Sequence, residues 1–200
     1  MWMGVLWVAL CAVAATPHEI VPTPAADGTP GVVVTFDVDA PAPAVLEELL
    51  WDVSRFRQIF PDIKAVTVVG GSGSRLDVRF DVDAVIATPT YTLRRTLDVA
   101  TREIRWHSID GDVKHIAGRW QVEPRGPDRC RVRYESFVDV GVPGLSVVYR
   151  DVVVKKLDQM VARVRQAAAL LPRAAPGTTT KQPLSSSPSS SSSSSSSAAP

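Results

Sequence analysis

The sequence has little of several things. Among its 200 residues are two cysteines, Cys11 and Cys130, three histidines, three methionines and three tyrosines. Two cysteines exclude a disulfide framework and a cysteine-rich zinc site. Charge of one sign is not in excess: 22 Lys and Arg against 21 Asp and Glu leave a formal net charge of +1. Nothing in that balance favours nucleic acid or an anionic membrane as a partner. Long apolar runs are also missing. The one candidate, Met1 to Ala15, is too short for a comfortable membrane span and has no Lys or Arg before it.

That run ends in Ala12-Val13-Ala14, an A-x-A pattern with cleavage before Ala15. Residues 1–14 are therefore expected to be a signal peptide or apolar anchor. The protein would then be exported, to periplasm or medium, or held at a membrane by its N-terminus; a misassigned start would leave it cytoplasmic. Residues 15–30, ending in "VPTPAADGTP", read as a linker. Residues 173–200, dominated by serine, bury too little apolar surface to offset chain ordering and are expected to be disordered. One folded domain is left, at 31–172.

Within it the hydrophobic period changes twice. "VVVTFDVD" alternates as a strand. "APAPAVLEELLW" then has prolines where a helix starts and strong helix formers behind them. "DVSRFRQIF" gives a second short helical segment, capped by Asp52 or Ser54 and closed by Pro61. From "KAVTVV" to "VRYESFVDV" strand follows strand, joined by the loop at residues 70–74 and by the turns "DGD" and "RGPD". From Gly144 to Leu171 apolar residues recur at helical spacing, among them Val152, Met160 and Val164. The expected class is α+β: a curved antiparallel sheet of about seven strands wrapped around a long C-terminal helix, with two short helices after the first strand.

This order resembles the helix-grip fold of the START-like, or SRPBCC, superfamily. Within it the chain is most similar to the coenzyme Q-binding and polyketide cyclase/dehydrase branch. The likeness rests on "DVSRFRQIFPDIKAVTVV", on "IRWHSIDGDVKHIAGRWQVEP" and on "VRYESFVDVGVPG" leading into the last helix. It implies a cavity for a hydrophobic small molecule (lipid, quinone or polyketide-like) without a cofactor. Most members bind or transfer such ligands; some catalyse cyclisation or dehydration, and others are interaction modules with a filled core.

Apolar pockets need apolar walls and a few orienting polar groups. Alternation puts Phe80, Tyr91, Arg95, Trp106, Trp120 and Tyr134 on inward faces, with Phe56 and Phe60 on a lid and Val152 and Met160 on the covering helix. Arg95 reads either as a partner for a ligand oxygen or as a wet rim residue. "GGSGS" lacks the Lys-Ser/Thr of a phosphate loop and reads as a hairpin. Asp37, Asp39, Asp81 and Asp83 read as a solvated strand face. The cluster His107, Asp110, Asp112 and His115 has the residue types for acid–base or metal chemistry, but no ligand spacing. Cys130, between two arginines, reads as a packed strand thiol. Lys155, Lys156, Arg163, Arg165 and Arg173 offer transient contact with a membrane surface, or simply a solvated helix face.

Overall fold

The computed structural model describes residues 17–83, 88–139 and 145–172, with the backbone alone for 145–153. Eight strands form one antiparallel sheet: β1 (His18–Pro22), β2 (Gly31–Val38), β3 (Ile63–Ser72), β4 (Arg75–Val82), β5 (Thr90–Asp98), β6 (Glu103–Gly111), β7 (His115–Gly126) and β8 (Arg129–Asp139). Their order across the sheet is β1-β2-β8-β7-β6-β5-β4-β3. Between β2 and β3 lie α1 (Ala42–Ala44), a π-helical continuation (Val45–Trp51), a 3-10 turn (Val53–Arg55) and α2 (Phe56–Ile59). The long helix α3 (Leu145–Ala168) closes the fold. The α+β class, curved sheet and C-terminal helix follow the sequence expectation.

Two boundaries differ. The sheet has eight strands, because His18–Pro22, expected as linker, pairs with β2 from His18↔Phe36 to Pro22↔Val32. "HEIVP" is too short to show a period, and its tie to the fold comes from distant partners: His18 bonds Asp158 of α3 at 2.7 Å. The loop expected at residues 70–74 shrinks to a turn at Gly73-Ser74, because β3 runs on through Gly70 and Gly71. Residues 1–14, the tail from Arg173 and Ala84 lie outside the described residues.

The short helices start and stop as local chemistry dictates. Pro43 sits in the first turn of α1, where a missing N–H costs nothing. Asp52 is extended and accepts the amide of Ser54 at 2.9 Å, capping the 3-10 turn. Phe60, ahead of Pro61, is extended and turns the chain into β3. Register shifts at Ile63/Ala65, Val68/Gly70, Thr92/Leu93 and Pro124/Gly126 are bulges that help bend the sheet. The inward face of β2, β8, β7 and β6 packs Val34, Phe36, Val132, Trp120 and Ile104 against Leu46, Leu49 and Leu50 below and against Met160, Val161 and Val164 of α3. Among the described residues, no helix is long and apolar enough to cross a membrane.

Candidate functional site

The sheet register sets the inward wall. Phe80 pairs with Tyr91, Leu76 with Arg95, Arg95 with Trp106, Trp106 with Gly118, and Trp120 with Tyr134. One inward row therefore crosses β4, β5, β6 and β7. Its side chains fall into two aromatic groups. In the first, Phe56 lies 5.7 Å from Phe60 and 5.6 Å from Phe80, which stacks on Tyr91 at 5.6 Å. In the second, Tyr134 lies 4.4 Å from Trp120 and 5.8 Å from Trp106.

Arg95 stands between them. It is 1 % exposed, one of the largest fully buried side chains of the protein. Nη2 donates to the carbonyl of Leu50 at 2.6 Å and Nη1 to that of Trp51 at 3.1 Å. These are C-terminal carbonyls of the π-helical segment, which have no partner inside it. The guanidinium carbon lies 4.8 Å from the Trp51 ring centre and 4.5 Å from that of Phe56, close enough for cation–π attraction. Burial pushes the Arg95 pKa down to about 9, which leaves it a cation at neutral pH.

Part of the wall stays accessible. Tyr91, Ser108, Tyr134, Ser136 and Phe60 keep part of their surface accessible, although they face the concavity. The surrounding protein nevertheless desolvates both phenols and raises their pKa, with Tyr134 receiving a smaller opposing effect from Ser136. Arg95 and the two phenols are thus hydrogen-bond donors at neutral pH. Among the described residues, no carboxylate or imidazole shares the inward wall. The Ser108 hydroxyl accepts the amide of Ile116 at 3.0 Å.

Most of the residues singled out from sequence converge here. Phe56, Phe60, Phe80, Tyr91, Arg95, Trp106, Trp120 and Tyr134 belong to the two groups and the cation between them, and Met160, on the buried side of α3, is 1 % exposed. Arg95 is inside, not on a wet rim. The side chain of Val152 lies outside the described residues. His107 and His115 do not join: His107 is exposed, and Asp112 is engaged by the amide of Thr90 at 2.8 Å. Among the described residues no three His, Cys, Asp or Glu converge as metal ligands. A groove of about 360 Å³ lined by Arg79, Thr90, Thr92, Asp110 and Asp112 opens at the β4–β5–β6 edge and reaches the aromatic wall only at Tyr91.

Sequence reasoning missed Trp51, which stacks on Arg95; four residues, Asp52 to Arg55, separate it from Phe56, and nothing there announces a shared cation. It also missed two buried carboxylates on the outer face, Glu103 and Glu135, both bonded by Arg119. The Cys130 thiol is buried, and its pKa is pushed up to about 12 by burial, then by Asp37 and Asp39, so the neighbouring arginines do not activate it.

Residues 38–165 match the family of polyketide cyclases/dehydrases and lipid transport proteins. The chain belongs to that family. The Zhui aromatase/cyclase of Streptomyces sp. R1128 is similar in structure, with 25% identity, a TM-score of 0.61, and coverage of 70% of this chain and 93% of that one. A STAR-related lipid transfer protein of Xanthomonas axonopodis shares the fold at 17% identity and a TM-score of 0.63, over 79% of this chain and 97% of that one. The lipid transfer and protein localization domain of human StarD13 shares it at 18% identity and a TM-score of 0.60, over 76% and 84%. No curated protein matches the sequence.

Proposed function

We propose that the protein binds and carries a hydrophobic small molecule of the lipid, quinone or polyketide-like class against its inward aromatic wall. The observation that carries this reading is the state of that wall. Tyr91, Ser108, Tyr134 and Ser136 lie on the inward face of the sheet, yet retain accessible surface beside stacked rings. Apolar surface with a few hydrogen-bonding groups is what an apolar ligand with one polar end requires. Burying such a ligand contributes about 25 cal/mol per Å² before the costs of ordering are subtracted. The family includes lipid transport proteins, which supports a carrier.

The likeness to an aromatase/cyclase favours a second reading, in which the same wall folds or dehydrates a polyketide. Such chemistry needs a group to take a proton. Arg95 and the phenols of Tyr91 and Tyr134 are protonated donors at neutral pH, so binding and orientation are supported better than proton abstraction.

The test is native mass spectrometry of the full chain purified from cells without added ligand, followed by organic extraction. A co-purifying lipid, quinone or aromatic polyketide is expected. An empty protein that also takes up no apolar fluorescent probe would refute the carrier reading.

A further inference from the structure

Arg95 has an unusual set of partners for a buried cation. Among the described residues no carboxylate pairs with it; its contacts are the carbonyls of Leu50 and Trp51 and the faces of two rings. A buried charge is ordinarily paired with an opposite one. Capping the end of a helix does not require it either, since a neutral donor or a water satisfies a carbonyl. The two bonds also leave N–H donors over, because a guanidinium carries five. What it holds is the lid: Leu50 and Trp51 lead into Val53–Arg55 and α2, whose Phe56 lies on Phe80. The far side of the lid is fastened separately to α3, by Lys156 to Asp62 at 2.7 Å and Arg163 to the Gln58 carbonyl at 3.1 Å.

We propose that Arg95 is a switchable anchor: the carboxylate of an apolar acid displaces the Leu50 and Trp51 carbonyls from its guanidinium, so that one docking event neutralises the buried cation and unfastens the lid from the sheet. The inference rests on the binding reading above and names the ligand class for that site. A carboxylate matches the guanidinium fork in a bidentate, charge-assisted pair, which two neutral carbonyls cannot equal. The low dielectric of the site strengthens that difference. Arg95 remains charged at neutral pH, as the exchange requires. Once released, the lid still has its bonds to α3 and swings about them.

The experiment compares cis-parinaric acid with its methyl ester as fluorescent probes on the full chain at pH 7. The pair differ in charge and little in apolar length. The acid is expected to bind about ten- to a hundredfold more tightly, the range of one charge-assisted hydrogen-bond pair. Arg95→Gln should bring the acid down to the ester's affinity, while the ester binds as before. Arg95→Lys, which keeps the charge but not the fork, should retain part of the preference. Hydrogen exchange at residues 51–60 should quicken with the acid and not with the ester. Equal affinities in the wild type, which need no variant to fold, overturn the anchor. Acid preference with unchanged exchange overturns the latch. Failure of both probes to bind overturns the binding reading itself.

Discussion

Gly118 is the tightest point of the inward wall, and replacing it tests the packing directly. An added Cβ would lie 2.3 Å from the carbonyl oxygen of Glu135 and 2.5 Å from Cζ2 of Trp106. Neither neighbour gives cheaply. The carbonyl belongs to the backbone of β8, and Trp106 is held against Trp120 and Tyr134. Relief requires a shift of about 1 Å in a ring or a strand, and overpacking of that size costs about 3 kcal/mol. For a domain of this size the melting temperature of Gly118→Ala should fall by about 6–12 °C. The tryptophan bands in near-ultraviolet circular dichroism should change with it. Gly70→Ala is the control: its nearest neighbour is Asp77 at 3.6 Å, an ordinary contact, and its melting temperature should move by no more than a few degrees. A Gly118→Ala protein that melts within about 2 °C of wild type, with unaltered tryptophan bands, would refute the account of the wall.

Cys130 should resist an alkylating reagent at pH 8 in the folded protein and react promptly in denaturant, because burial keeps it a neutral thiol; rapid labelling of the native state would contradict this. Asp37 is held below the usual carboxylate range, first by its hydrogen bond from Arg131 and also by Arg129. A lowered folded pKa adds stability that is present above the unfolded value of about 3.9 and lost as pH falls through the folded one. Asp37→Asn should therefore cost about 1 kcal/mol at pH 7, in urea titrations, with the gap to wild type closing below about pH 4; a gap unchanged down to pH 2 would exclude this cause. Met160→Ala removes a fully buried side chain between α3 and the sheet, and should cost about 2–5 kcal/mol. A smaller loss in chemical denaturation would show that α3 does not cover the wall closely there.

The architecture was legible where a period repeats. "RLDVRFDV" alternates over eight residues, and its inward set, Leu76, Val78, Phe80 and Val82, is the set the structure packs or half-packs. The helix was legible for the same reason, although it stops at Ala168, three residues short of the expected Leu171. What was not legible depends on distant partners. "HEIVP" becomes a strand because β2 offers a free edge and Asp158 meets His18. The outer carboxylates look solvated in sequence; Arg119 and its neighbours lie over them because β6, β7 and β8 are adjacent.

Arg95 shows the limit most clearly. Alternation puts it inward with Leu93 and Leu97 as flanking members of the same face, and the burial cost of a lone cation then argues for a wet rim or a slipped register. The structure resolves the conflict through chain 44 and 45 residues away, by aiming two helix-end carbonyls and two rings at the guanidinium. Such partners leave no mark in a hydrophobic pattern, since every residue has a carbonyl. They also explain why the lid needs both Trp51 and Phe56. The two rings clasp one cation from α2 and from the segment before it, and Pro61 then returns the chain to the sheet edge. A cation with no counter-ion among the described residues, at a place where the lid meets the wall, is a stronger pointer to ligand chemistry than the aromatic residues around it, which any core of this size would need.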